Sequence, residues 1–191
     1  MNRRNALRNI GTGISAIAIT PTVVSLFQSC QTAPTYNPVF FTAEDFSAVA
    51  EIMELIIPST DIPGAKELKL PEFTDAYIAA VWSDPQKESF VSGLEAFKTE
   101  TLNASGKVTT DKITAQDWDT QLAKYLKGNY TPSEEEKDAA AFANELRSLT
   151  VNAFKTNEYI GENVLAYLPI PRNYIGCVDL METTGGKAWS L

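Results

Sequence analysis

The chain of 191 residues contains no histidine. That absence removes His-ligated zinc, haem attached through a C-x-x-C-H run, and every Ser-His-Asp or Cys-His dyad. Cysteine is nearly absent too, with only Cys30 and Cys177. Basic residues are scarce: 16 against 24 acidic ones give a net charge of −8 and a pI near 4.6. This argues against nucleic acid as a partner and against electrostatic docking on anionic lipid; partners should be neutral, or basic at their contact patch. No hydrophobic run supplies the ~20 strongly apolar residues of a membrane span. No period-two alternation is long enough to define a sheet, and there is no internal repeat. G-x-G-x-x-G after a strand and G-x-x-x-x-G-K-[ST] are both missing, so a nucleotide cofactor in this chain is unsupported. What is present, 44% hydrophobic and 21% charged residues, suits one globular domain.

The charge is unevenly placed. Arg3, Arg4 and Arg8 crowd the start, and the first acidic residue is Glu44. An uncharged stretch from Ile10 to Leu26, rich in Ala, Ile, Val, Thr and Gly, follows the arginines and leads to Ser29-Cys30. A positive n-region, a mildly apolar h-region and a small-residue cleavage zone describe an export signal over residues 1–29. Pro21 and the interspersed Thr, Ser and Gly disfavour the alternative, a retained membrane anchor. Arg3, Arg4 and Leu7 resemble the twin-arginine signal, which exports folded cargo, although an ordinary n-region can also carry adjacent arginines. Ser29-Cys30 resembles a lipobox, with Cys30 as lipidation candidate; a free cysteine near an ordinary cleavage site is the other reading. Residues 30–40 then form a short, proline-bearing tether. Cleavage before Cys30 removes three arginines and no acid, so the exported domain is more acidic than the whole chain. It retains only Cys177, so core packing and not a disulfide must hold it.

Residues 41–191 read as an all-α domain, a compact bundle of about six helices with an ordered, irregular C-terminal tail. Thr42-Ala-Glu-Asp45 opens a capping box ahead of Phe46, Val49, Ile52, Met53, Ile56 and Ile57, and Pro58 stops the run. After the turn-rich 58–64 loop, Pro71 suits the start of a second helix bearing Phe73, Tyr77, Val81 and Trp82 as its apolar stripe. Asp84-Pro85 restarts a third with Phe90, Leu94 and Phe97. Thr114 and Asp117 box the fourth, with Trp118, Leu122, Tyr125 and Leu126. Thr131 to Glu136 gathers a cap, a proline and three acids where the helix dipole favours negative charge, ahead of Phe142, Leu146, Leu149 and Ala153. Asn157 caps a last helix carrying Tyr159, Ile160, Val164 and Tyr167. The tail from Pro169 to Leu191 lacks periodicity but holds too much aromatic and apolar content for a solvated spacer.

Candidate chemistry is thin. Glu134, Glu135, Glu136 and Asp138 could be imagined as carboxylate metal ligands, but di-iron bundles pair Glu with His at i+3, so a solvated helix start is favoured. Asp111, Asp117 and Asp119 miss the calcium-loop spacing and read as caps and surface. Cys177 as a nucleophile lacks any histidine to lower its pKa, and a packed thiol is favoured. A hydrolase built on carboxylates or on Cys177 therefore ranks last. Turn-rich and aromatic segments off a helical scaffold are natural contact surfaces. They nominate Pro58, Asp61, Pro63 and Gly64 in the loop, and Tyr174, Gly176, Cys177 and Trp189 in the tail, as interface candidates.

Three blocks of sequence carry a resemblance. They are MNRRNALR over 1–8; ELIIPSTDIPGA over 54–65 with LPEFTD over 70–75; and a C-terminal set of LRSLT over 146–150, LAY over 165–167, Pro169-Ile-Pro171, YIGC over 174–177 and KAW over 187–189. In this order they resemble the gluconate 2-dehydrogenase subunit 3 family, the gamma or small subunit. The resemblance implies a non-catalytic accessory subunit of a membrane-associated, flavin-dependent dehydrogenase of sugars, sugar acids or polyols. It implies no cofactor in this chain, FAD on a catalytic partner of the glucose-methanol-choline oxidoreductase type, and haem c on an accompanying cytochrome subunit. It also implies that the twin-arginine translocase exports the folded partner together with this chain to the periplasmic side of a bacterial envelope. There the complex is held by the lipid anchor or by the partner. The alternative is a free-standing periplasmic helical lipoprotein that binds a small molecule or an envelope component.

Overall fold

The chain divides into two units, Met1–Asn37 and Pro38–Leu191. The computed structural model describes residues 36–128, 130–168, 170 and 175–190. Arg3, Arg4, Leu7 and Cys30, with Tyr174, lie outside them. Among the described residues the second unit is helical: α1 Ala43–Ile56, α2 Leu70–Val81, α3 Asp84–Ser105, α4 Ala115–Leu126, α5 Lys137–Thr156 and a short α6 Leu180–Thr184. Single 3₁₀ turns at Thr110–Lys112 and Glu134–Glu136 connect them, and a π turn at Ile160–Val164 follows α5.

Local chemistry sets the helix ends. The Thr42 hydroxyl accepts the Asp45 amide at 3.1 Å and opens α1. The third helix is capped by Ser83, one residue before the expected Asp84, and the Gln86 side-chain oxygen accepts both the Ser83 amide at 3.0 Å and its hydroxyl at 2.7 Å. Asp117 returns to the Thr114 amide at 2.7 Å to open α4.

The longest helices, α3 and α5, form the centre of the core. They approach closely because Gly93 has no side chain; a Cβ there would lie 2.9 Å from the Phe142 Cβ and 3.0 Å from the Asp138 carbonyl. Phe142 packs its ring 4.9 Å from Phe90 and 5.5 Å from Phe97, and Phe97 stacks on Trp118 at 5.8 Å. Around these aromatics lie Val49, Ile52 and Met53 of α1, Leu70 and Ile78 of α2, and Leu146 of α5, all fully buried. Two buried hydroxyls are satisfied within their own helices: Thr101 donates to the Phe97 carbonyl at 2.7 Å and Thr150 to that of Leu146 at 2.6 Å. Lys98 is buried, and its ammonium pairs with Asp45 and, at 2.8 Å, with Glu95.

Four expectations need correcting. The stripe Phe73, Tyr77 and Val81 does not face the core; these residues are exposed, and the buried side of α2 is Leu70, Pro71, Thr74, Asp75 and Ile78. The cause is Asp75, whose carboxylate accepts the amides of Val39, Phe40 and Phe41 at 2.7, 3.0 and 2.9 Å and so turns that side of the helix inward. Glu136 is not solvated: it is 8% exposed, paired with Lys124 and hydrogen-bonded by the Tyr130 hydroxyl at 2.5 Å and the Ser133 amide at 3.1 Å. The helix after Asn157 is only a short turn ending in the π segment, closed by the Leu165 amide on the Ile160 carbonyl at 2.9 Å. Asn157 does cap it, accepting the Tyr159 amide at 3.0 Å. The tail contains α6, started by Asp179, which accepts the Met181 and Glu182 amides at 2.9 and 3.0 Å. The fourth correction concerns Cys177, which is exposed and not packed, because residues 175–180 contribute nothing to the buried cluster.

Two measurements test this account. Asp75→Ala leaves three backbone donors without their anionic acceptor and should cost about 3 kcal/mol or more in chemical denaturation of the detergent-purified chain. The adjacent Thr74 hydroxyl is buried without a hydrogen-bond partner, so Thr74→Val should be neutral or stabilising by up to about 1 kcal/mol. If both substitutions cost the same, the Asp75 clamp is not what holds α2. The Lys124 ammonium, then the Tyr130 hydroxyl and the Ser133 amide, hold the Glu136 carboxyl at about 2, below its ordinary 4.5. Its stabilising contribution is therefore complete above pH 4.5 and lost as the pH falls through 2. A melting-temperature titration should show Glu136→Gln losing less stability than the parent over that interval.

Candidate functional site

The 58–64 loop is organised by the helix that precedes it. Glu54, near the end of α1, turns its carboxylate under the loop: Oε1 accepts the Ser59 amide at 3.2 Å and Oε2 the Lys66 amide at 2.8 Å. The Ala65 amide closes back onto the Ile57 carbonyl at 2.9 Å, and the Thr60 amide reaches the Ile62 carbonyl at 3.0 Å. Gly64 is buried at the crossing. A Cβ there would stand 2.4 Å from Glu54 Oε1 and 2.6 Å from the Ser59 nitrogen, so the loop can close only around a glycine. Lys69, with φ of 55°, makes the sharp entry into α2. The result is a rigid knot that presents Pro58 and Asp61 to solvent, leaves Pro63 half-buried and uses Gly64 internally.

The C-terminal segment folds back on its own start. Ala166 and Trp189 form an isolated parallel bridge, in which the Ala166 amide donates to the Ala188 carbonyl and the Ser190 amide to the Ala166 carbonyl, each at 2.8 Å. Lys187 reaches the Asn163 carbonyl at 2.9 Å. Gly176 and Cys177 are exposed, and Trp189 is half exposed. Ile170, Ile175, Val178, Leu180 and Met181 are all more than half exposed, an unusual density of apolar side chains in one stretch. The end of α5 meets the stretch leading into α2: the Asn157 amide group donates to the Leu68 carbonyl at 3.4 Å.

Sequence reasoning missed Glu54 and Asp75 as organisers; Asn157 is legible as a cap, but not as the partner of the Leu68 carbonyl. For Asp75 a signal existed, since an acid inside the otherwise apolar run of α2 must either reach water or find buried donors. For Glu54 and Asn157 the partners are backbone groups whose positions follow only from the folded loop.

Chemically, the described residues assemble little. They include no cluster of three or more Cys, Asp or Glu able to hold a metal. A cleft of about 740 Å³ is an open groove between α1 and residues 108–113, with Leu102, Ile113 and Trp118 in its wall and Glu44, Glu51 and Asp111 at its edge. Among the described residues no helix is long and apolar enough to cross a membrane.

Fold and surface together define a class: a small all-α protein whose distinctive surface is apolar, of the type that partner chains cover. The chain belongs to the gluconate 2-dehydrogenase subunit 3 family, whose model matches residues 43–171. It is thus a member of a family of small subunits of a dehydrogenase complex. The Glu54 knot and Asp75 lie inside the matched span; the residues 39–41 that Asp75 holds, the arginine-rich start and the segment from Tyr174 onward lie outside it. No curated protein and no solved structure was found to match the chain.

The knot makes a sharp prediction. Gly64→Ala should destabilise the chain by about 2 kcal/mol, because the new methyl meets backbone and carboxylate at once, whereas the exposed Pro58→Ala should stay within about 0.5 kcal/mol. Equal melting temperatures for the two variants would mean that the loop is not closed as described.

Proposed function

We propose that this chain is the non-catalytic accessory subunit of a membrane-associated, flavin-dependent dehydrogenase acting on a sugar, sugar acid or polyol. Its role is to assist the export and maturation of the FAD-bearing catalytic subunit. The observation that carries this reading is the exposed apolar C-terminal segment in a chain of a subunit family: Ile170 is 75% exposed, Met181 67% and Ile175 65%. Left in water such a surface is a liability, and a permanent partner removes it. The paired Arg3 and Arg4 support export as folded cargo by the twin-arginine translocase, and Cys30 supports attachment to the periplasmic side of the membrane through lipid. The catalytic partner is of the glucose-methanol-choline oxidoreductase type, and a cytochrome c subunit carries the electrons onward. FAD and haem c sit on those chains.

A second reading, the free-standing helical lipoprotein, draws on the open groove beside α1, whose size would admit a small molecule. One experiment separates them. When the tagged chain is purified from detergent-solubilised membranes, a stoichiometric flavoprotein should accompany it; a colourless, solitary protein favours the second reading. In the same cells Arg3→Lys/Arg4→Lys should strand dehydrogenase activity in the cytoplasm. Normal periplasmic activity in that variant would count against joint export.

A further inference from the structure

The second helix is apolar on nearly every side. Of its twelve residues, LPEFTDAYIAAV, only Glu72 and Asp75 are charged, and Asp75 is fully buried against the amides of residues 39–41. Its inner face, Leu70, Thr74, Asp75 and Ile78, is consumed by the core. Its outer face is Phe73, Ala76, Tyr77, Ala80 and Val81, all exposed and all uncharged. Phe73 is 52% and Val81 61% exposed, and the Phe73 and Tyr77 rings stack on each other in solvent with centroids 6.1 Å apart. A helix that is hydrophobic all round is, as a rule, buried all round. Here one face lacks its cover.

Three observations say what covers it. The stripe from Phe73 to Val81 is about 12 Å long and one helix, about 10 Å, wide. That footprint is far below the ~800 Å² per partner of a stable protein interface, so α2 paired with α2 of a second copy would not hold a dimer. The covering chain must extend over more of this molecule. An acidic protein with an uncharged stripe is also a poor match for an anionic bilayer. Finally, α2 lies within the residues matched by the subunit family, in the part of the chain that makes it a member of a complex.

We propose that the Phe73, Tyr77 and Val81 face of α2 is a docking surface for the catalytic, flavin-bearing subunit. The inference rests on the accessory-subunit reading and adds a site that the loop and tail candidates did not include. Large rings alternate with Ala76 and Ala80, so the face offers ridges and shallow holes to an apolar surface of the partner. No charge on it needs desolvation, and burying two aromatic rings and a valine is the type of contact that dominates interface energetics. The contact is held at fixed orientation because Asp75, on the opposite side of the same helix turn, locks α2 against rotation.

The test uses the full-length tagged chain in its own host, purified in detergent, with flavin absorbance read per tagged chain and the flavoprotein identified by mass spectrometry. Phe73→Ser/Tyr77→Ser/Val81→Ser alters only exposed side chains. It should lower the recovered flavoprotein by about tenfold or more with the melting temperature of the small subunit unchanged. Independently of that variant's folding, a photo-crosslinking phenylalanine analogue in place of Tyr77 in the otherwise unaltered chain should form a covalent adduct with the same flavoprotein. Undiminished flavoprotein with the triple variant, or an adduct at position 77 with a second copy, with lipid or with nothing, overturns the α2 surface while leaving the accessory-subunit reading in place. A wild-type chain that brings no flavoprotein with it overturns both.

Discussion

A buried carboxylate sets the orientation of everything around it, and in this protein that carboxylate is Asp75. Three consecutive amides, those of Val39, Phe40 and Phe41, converge on its two oxygens. An anion fully removed from water is tolerable only with such a complete set of donors. The set pins the chain entering α1 to the middle of α2, and from there Phe41 reaches the core, 6.2 Å from Phe90. Thr42 then caps α1 directly after the clamped residues. The rotational position of α2 follows as well. With Asp75 inward, Leu70, Thr74 and Ile78 must also be inward, and the Phe73, Tyr77 and Val81 stripe has only solvent or another chain to meet.

The same logic of backbone amides collected by one acid recurs at the loop before α2. Glu54 serves the amides of Ser59 and Lys66 on either side of Gly64. Two acids near the two ends of a short stretch therefore make α1, the 58–64 knot and α2 one mechanical unit. This unit is tied together by five backbone amides held on two carboxylates. For a subunit family this is a sensible place to spend rigidity, since a docking face binds without paying for its own ordering only when it is already fixed.

Among the described residues exposed apolar side chains concentrate on the outer side of α2 and at residues 167–168, 170 and 175–181, with Val39 and Val108 exposed elsewhere; Asp179 and Glu182 are exposed within the second zone. Lys98, Lys107 and Lys124 are each turned onto an acid of their own chain. Each of these pairs neutralises one base with one acid, so the net charge of −8 is carried by the acids left unpaired. An acidic body with largely apolar contact zones favours specific association through shape and burial over nonspecific electrostatic adhesion.

Much was legible in the sequence because it depends on short-range rules. Helical spacing of Val49, Ile52 and Met53, of Phe90, Leu94 and Phe97, and of Phe142 and Leu146 placed three core-facing stripes correctly. Thr42, Thr114 and Asn157 announced their caps, and the family blocks around the 58–64 loop led to the family itself. The misreadings all have one physical origin. Periodicity says that a helix has an apolar face but not which of two apolar faces is turned inward, so α2 was read a quarter-turn wrong. The run of acids at 134–136 marks a helix start, yet only the tertiary approach of Lys124 and Tyr130 buries Glu136. The C-terminal segment lacks any period, and its bridge between Ala166 and Trp189 joins residues that local rules do not relate. The sequence by itself determined the helices, their caps and the family. Only the tertiary structure decided which side of α2 is core and which is left for a partner, because that choice rests on where a single carboxylate finds three amides from another part of the chain.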